Sequence, residues 1–436
     1  METNATRMCE LLVGLPDVTV LAVDDQLGAT IVVHIESRPE PAWCEACAVR
    51  ARVKERPVIG LIDLPCFGRP ARLVWRKHRR CCPEPACPAG SWTHLDERIA
   101  APRVSMTTPA ARWVTRHVGR LGRSVNEVAE ELGCDWHTVN DTVLAYGAAL
   151  LAADVDRVGA VDALGLDETV FCREGPWRRQ QWCTSIVNLD PAGAQLIDIV
   201  GGRSATPVLD WLDEQPQNWK QAIRWGVLDL SGPTARSSPA GWTTLDHVTQ
   251  VADPFHVCKL ANQKLDECRR RVQNETPGHR GRKADPLYRA RRLLTKAHER
   301  LDERGDTKLR GLLDAGDPRS EVRTAWHAKE VVRSIYDLDD PDLAREFVTQ
   351  LGPDLQDESC PPEVRSLGRT LRRWLDQLVA WHQARVTNGP TEAINNLIKR
   401  IKRIGFGFRR LRNYRIRALL YAGRPNWDLL DTVTPR

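Results

Sequence analysis

Two short apolar runs, each ending in an aspartate, constrain the middle of this chain more than any other feature. Val161-Asp-Ala-Leu-Gly-Leu leads into Asp167 and Glu168, and a further apolar run follows at 181–188. Ala222-Ile-Arg-Trp-Gly-Val-Leu leads into Asp229, and Ser231-Gly-Pro233 stops it. Short apolar runs bounded by Gly and Pro read as buried strands. With one helix expected near 207–214, residues 160–257 form an α/β region. Residues 258–385 differ, alternating charge signs at helical spacing, as in Asp266-Glu-Cys-Arg-Arg-Arg271 and His298-Glu-Arg-Leu-Asp-Glu-Arg304. That pattern predicts an all-helical stretch. Such a stretch reads equally as a helical domain that makes binding or dimer contacts and as a solvated spacer.

A third acid lies beyond the helical stretch, in Thr387-Asn-Gly-Pro-Thr-Glu392-Ala-Ile-Asn-Asn-Leu-Ile-Lys399-Arg. Asn388-Gly-Pro390 reads as a helix start. Glu392, Asn396, Lys399 and Arg403 then fall on one polar face, with Ile394, Leu397, Ile398 and Ile401 on the other. A single acid is usually a surface residue. Three delivered by strand ends and a helix suit metal-assisted phosphodiester chemistry, where two Mg²⁺ ions stabilise both attacking and leaving oxygens.

Cys44-Glu-Ala-Cys47 and Cys82-Pro-Glu-Pro-Ala-Cys87 are two knuckles of the kind that hold one structural Zn²⁺ through four thiolates. Cys81 can replace Cys82, and His94 one thiolate. Arg72, Arg76, Lys77, His78, Arg79 and Arg80 surround the knuckles and read either as a solvated face or as DNA backbone contacts. Upstream, residues 17–36 alternate as two strands joined by a turn at Gln26-Leu-Gly28.

Ser124-Val-Asn-Glu-Val-Ala-Glu-Glu-Leu-Gly133-Cys-Asp-Trp-His-Thr-Val-Asn-Asp-Thr-Val143 has the layout of a helix-turn-helix. Val125, Val128, Ala129 and Leu132 form an apolar face, Gly133 permits the turn, and Asp135 caps a second helix buried through Val139 and Val143. Trp136, His137, Thr138 and Asn140 lie near that helix's leading end, where such motifs read the major groove. A helical hairpin without DNA is the plainer reading.

After Glu392 no acid occurs before Asp428, while Lys399, Arg400, Lys402, Arg403, Arg409, Arg410, Arg412, Arg415 and Arg417 accumulate beside Phe406, Phe408 and Tyr414. An uncompensated run of this kind suits a phosphate-binding surface. Over all 436 residues the excess is modest, 63 basic against 57 acidic for a net charge of +6. The 13 Cys, the lack of a signal pattern and the lack of a membrane-length apolar run predict a cytosolic chain with reduced thiols.

The order strand-Asp, strand-Asp, helical insertion, Asn-Gly-x-x-Glu resembles the DDE transposases with a ribonuclease-H-like fold. More narrowly, Leu166-Asp-Glu168, Ala252-Asp-Pro-Phe-His-Val257, Asn388 to Arg403 and Gly405-Phe-Gly-Phe408 are similar to the ISL3 (ISL-three) family of insertion-sequence transposases. The resemblance covers roughly residues 40–427. It implies a multidomain α/β chain. The divisions are 1–100 for strands and zinc module, 101–158 for helix-turn-helix, 159–257 with 386–427 for catalysis, and 258–385 for a helical insertion. It implies Asp167, Asp229 and Glu392 as Mg²⁺ or Mn²⁺ ligands, with Asp253 as a rival second ligand or, with His256 and Asn396, a supporting residue. It implies double-stranded DNA as partner, both terminal inverted repeats and target, a dimer or higher oligomer, and a bacterial nucleoid-associated location. Two other readings remain open: a catalytically silent DNA-binding regulator and a ribonuclease-H-like nuclease.

Overall fold

The computed structural model describes residues 2–25, 30–190, 192–228, 245–276, 278 and 281–435. The expected turn at Gln26–Gly28 and the second aspartate, Asp229, lie outside them. The chain forms two compact units, Met1–Gly159 with Leu397–Arg436, and Ala160–Asn396.

In the first unit, helix α1 (Ala5–Val13) precedes strands β1 (Val18–Asp24), β2 (Ile31–Ser37), β3 (Arg52–Glu55), β4 (Val58–Cys66), β5 (Arg69–Arg76), β6 (Arg79–Cys81) and β7 (Ser91–Thr93). They make a four-stranded sheet, order β1-β2-β5-β4, and a three-stranded one, order β3-β6-β7. β1 and β2 are antiparallel, as their alternation predicts, but β2 and β5 run parallel with Ile35 beside Trp75. Val18, Ile35, Leu61, Leu73, Trp75 and Ile99 fill the core of the larger sheet. The Trp75 indole donates to Ser37 Oγ at 2.9 Å, which satisfies its buried N–H.

The same unit holds α2 (Thr108–Thr115), a π-helical turn at Arg116–Arg120, α3 (Val125–Leu132) and α4 (Trp136–Ala153). Ser124 and Glu127 form a reciprocal capping box on α3, and Gly133 ends it in the left-handed conformation at φ 59°. Asp135 caps α4 through the Thr138 amide at 2.9 Å. A later helix, Leu411–Ala422, adds Ile416 and Leu420 to the core these helices share.

In the second unit, β8 (Ala163–Glu174), β9 (Arg179–Asn188), β10 (Gln195–Gly201), β11 (Trp225–Leu228) and β12 (Thr249–Ala252) form one sheet, order β10-β9-β8-β11-β12. β9 runs antiparallel to both β8 and β10, and β11 runs parallel to both β8 and β12. Helices α5 (Thr206–Asp213) and α6 (Gln217–Ala222) lie between β10 and β11 in the chain. Trp211 of α5 donates to Asp198 of β10 at 2.9 Å.

Among the described residues, seven α-helices follow in this unit: α7 (Pro254–Glu275), α8 (Pro286–Leu294), α9 (Glu303–Gly316), α10 (Glu321–Ser334), α11 (Pro341–Asp354), α12 (Pro362–Arg373) and α13 (Leu375–Ala384). Their apolar faces share one core with Ala252 of β12. Arg271 of α7 bridges Glu363 at 2.9 Å and Glu321 at 2.6 Å, tying α7 to α12 and α10. The chain continues as α14 (Gly389–Ile404) and α15 (Leu411–Ala422).

Candidate active site

Asp167 sits on β8, the central strand of the second unit's sheet, opposite Ser185 on β9. Its Oδ2 accepts a hydrogen bond from the Asn395 amide, and its Oδ1 accepts the Glu168 N–H at 2.8 Å. Ser185 Oγ lies 2.9 Å from Asn395 Oδ1 and 3.1 Å from the Asp167 carbonyl. Two residues before Asp167, a Cβ on Gly165 would sit 2.3 Å from Thr391 Oγ1, so only glycine lets the first turn of α14 lie this close to β8. Thr391 and Asn395 are both buried there, whereas Glu392 and Asn396 are exposed.

Asn396, the asparagine that the sequence sets beside the site, is exposed, and it is its neighbour Asn395 that bonds Asp167 and Ser185. Helical residues one position apart point about 100° apart, and the wall that buries Ile394 and Ile398 also takes Asn395. Nothing in the sequence distinguishes the two asparagines except this phase.

Asp253 has a clear structural task. It caps α7, accepting the His256 N–H at 3.3 Å on Oδ2, and accepts the Asn388 N–H at 2.8 Å on Oδ1. The Asn388 carbonyl in turn accepts the Glu392 N–H at 3.0 Å. Asp253 is only 2% exposed, so the carboxylate anchors the start of α14 from inside the protein. His256 is buried beside it, edge-on to Phe255.

In the first unit the four cysteines converge. The sulfurs of Cys44, Cys47, Cys82 and Cys87 all lie within 4.8 Å of one another, with Cys44–Cys87 at 3.6 Å and Cys47–Cys82 at 3.4 Å. Thiolates on one tetrahedral Zn²⁺ with ~2.3 Å bonds stand about 3.8 Å apart. The Ala46 amide, pointing at Cys44, helps bring that thiol down to about 7, while Cys47, Cys82 and Cys87 are raised, so one thiol of the four ionises ahead of the others. Cys81 and His94 are outside the cluster; Cys81 pairs in β6 with Arg52 and Ser91. Among the described residues no other group of three or more Cys, His, Asp or Glu converges in this way.

Most of the basic residues around the knuckles are engaged inside the fold. Arg72 donates to the carbonyls of Leu132 at 3.0 Å and Gly133 at 2.5 Å, a cation closing the C-terminus of α3. Arg76 pairs with Glu36 at 3.5 Å, Arg79 with Glu55 at 2.7 Å, and buried Arg80 donates to the Glu40 carbonyl at 2.9 Å. His78 is buried against Glu36, and the Lys77 ammonium lies over Trp75 at 4.2 Å. These contacts favour structure over the backbone-contact reading of this group.

On α4, Trp136 and His137 are exposed, and the half-buried Thr138 donates its hydroxyl to Asp135 at 2.6 Å. Asn140 is not with them: it is 7% exposed. It shares a side of α4 with Val143 and Gly147, where α15 approaches so closely that a Gly147 Cβ would meet Leu420 at 2.8 Å. The outward stripe runs instead through His137, Asp141 and Ala145. In the basic segment Lys399, Arg403, Arg409 and Arg410 are exposed, but Arg417 is 2% exposed, and desolvation lowers its guanidinium to about 10.

A family model described as "Transposase", that of the ISL3-type DDE transposases, matches residues 164–418. The transposase for insertion sequence element IS1001 of Bordetella parapertussis is 24% identical over 401 residues, 88% of this chain and 89% of that protein. The transposase for IS1557 of Mycobacterium tuberculosis is 25% identical over 352 residues, 72% of this chain and 74% of its own length.

Proposed function

We propose that this chain, which belongs to the ISL3 family of DDE transposases, uses Asp167, Asp229 and Glu392 as the metal-binding carboxylates of its catalytic domain. One observation carries this reading: buried Asn395 holds Asp167 directly, so the turn bearing Glu392 and the strand bearing Asp167 belong to one assembly. Asp229 enters by sequence. β11 pairs parallel with β8 at Val227 and Gly165, and Asp229 follows Val227 by two residues as Asp167 follows Gly165.

The residues fit a hard divalent cation. Asp167 supplies hard carboxylate oxygens oriented by Glu168 and Asn395, and Glu392 presents its carboxylate to solvent. Mg²⁺ or Mn²⁺ held there would stabilise charge on the attacking and leaving phosphate oxygens. Asn395 fixes the orientation of Asp167, and Asp253, through Asn388, fixes the start of α14. Water and then a DNA 3′-hydroxyl act as nucleophiles, so no covalent protein–DNA bond forms.

The sheet, with three antiparallel strands followed by two strands parallel to the first, supports the ribonuclease-H-like assignment. The helical stretch 258–385 is then an insertion between the second and third acids. Trp136 and His137 at the exposed head of α4 support docking of that helix in the major groove of the terminal inverted repeats. Exposed Lys399, Arg403, Arg409 and Arg410 would neutralise phosphates. A Zn²⁺ on the four thiolates would brace the N-terminal sheets. A dimer or higher oligomer is proposed so that two element ends are handled together. The test uses labelled duplex carrying the element's own ends: wild type with Mg²⁺ should bind these ends in preference to random duplex and release 3′-hydroxyl ends. Preferential binding without release would favour a silent regulator.

A further inference from the structure

A recess of the first unit is lined by neither the clustered cysteines nor the exposed head of α4. It encloses about 590 Å³ between α2, the π-helical turn and the C-terminal segment. Arg112, Arg116 and Arg120 line it at four-residue spacing, with Trp113, His117 and one acid, Asp431. Leu64 and Leu121 give it apolar walls. The volume falls within the usual range for a small organic group.

The lining defines what would fit. Asp431 is paired with Arg116 at 2.9 Å, so one acid faces three guanidiniums. Arg112 lines the recess as a half-buried side chain, and its Nε is buried without a hydrogen-bond partner among the described residues. Trp113 and His117 are stacked, centroids 3.9 Å apart and planes 28° from parallel. Arg123 donates to His117 Nδ1 at 3.2 Å, which leaves Nε2–H as the ring's donor. Burial, then Arg123, lower the His117 pKa, which favours the uncharged ring. The π-helical turn itself is a local distortion of the sort found at functional sites.

A flat aromatic stack beside an excess of guanidinium matches a planar ring carrying an anion. We propose that this recess receives one unpaired nucleotide of the DNA, its base continuing the Trp113–His117 stack and its phosphate on Arg112 and Arg120. Fully paired duplex cannot offer a base in this way, so the recess distinguishes opened from closed DNA. The inference rests on the reading of the chain as a DNA-handling enzyme.

The test uses full-length protein and two fluorescently labelled duplexes of the same sequence, one fully paired and one with a single bulged 2-aminopurine. Stacking on an aromatic side chain strengthens binding about tenfold per base. Wild type should therefore prefer the bulged duplex by about tenfold and quench its 2-aminopurine. Trp113→Leu and Arg120→Ala should bring the preference close to one, and Trp113→Phe should retain most of it. Arg120 is exposed, so its variant tests the site without disturbing the core. A wild type with no preference, or a preference that survives both variants, overturns the proposal. Failure to bind even the paired duplex would overturn the underlying DNA-handling reading as well.

Discussion

Asn395 and Asp167, 228 positions apart in the chain, are joined by a hydrogen bond from the asparagine amide to the aspartate's Oδ2. The bond is shielded: Asn395 is 1% exposed, and Ser185 holds its other side-chain atom. Replacing Asn395 by Ala should cost about 1–3 kcal/mol of stability, the penalty for stranding buried polar partners. It should also lower end cleavage, because Asp167 loses its fixed orientation. Asn396→Ala, at an exposed position, should change stability by less than about 0.5 kcal/mol. Denaturant melts and cleavage rates of the two variants check this; equal effects would remove the distinction.

Asp253 is the anchor of α14 and the cap of α7 at once. Asp253→Ala should destabilise the protein by about 2–4 kcal/mol, combining a lost helix cap with an unsatisfied Asn388 N–H. Glu392→Ala should leave stability nearly unchanged, since Glu392 is exposed. Thermal unfolding of the two variants side by side checks the contrast.

The cysteine cluster should hold one zinc per chain. Cys44→Ala and Cys82→Ala should each abolish stoichiometric zinc and loosen the three-stranded sheet, while Cys81→Ala should keep the metal. Metal analysis of the purified variants, with and without a chelator, decides. Zinc retained in Cys82→Ala but lost in Cys81→Ala would move the fourth ligand to Cys81.

The bridge from Arg271 to Glu363 and Glu321 predicts acid sensitivity of the helical part of the second unit. Burial pushes the Glu363 carboxyl up, but the Arg271 bond outweighs it and holds the group below its ordinary 4.5. A carboxylate depressed in the folded state stabilises above its unfolded value. That contribution is lost as pH falls through the lowered folded value. Arg271→Ala should therefore cost about 1–3 kcal/mol near neutral pH, less than a fully buried pair because Arg271 is partly solvated. The variant should also lose less stability than wild type between pH 5 and pH 3. Urea melts across that range measure both.

What could be read from the sequence was local. The apolar face of Val125, Val128, Ala129 and Leu132, the turn at Gly133 and the cap at Asp135 act within a few residues of one another, so their spacing revealed α3 and α4, while the Ser124–Glu127 capping box became visible only in the structure. The cysteine knuckles likewise carry their geometry in their spacing. Long-range partners were not legible. The parallel pairing of 31–36 with 71–76 has no sequence mark. Arg72 looked available for DNA until Leu132 and Gly133, sixty positions on, were seen to accept its guanidinium. Asn140 and Arg417 looked polar and therefore outward, but each lies on a helix side buried within the fold. The recess around Trp113 left no motif, since its lining combines one helix with Leu64 and Asp431 from distant segments.

The most direct measurement of the central claim is metal-dependent cleavage of end-carrying duplex by Asp167→Ala, Asp229→Ala, Glu392→Ala and Asp253→Asn, each checked for folding and DNA binding. The account predicts that the first three bind the ends and cut nothing in Mg²⁺ or Mn²⁺, while folded Asp253→Asn retains measurable cutting. Cutting by Asp229→Ala together with none by folded Asp253→Asn would contradict it and move the second ligand to Asp253.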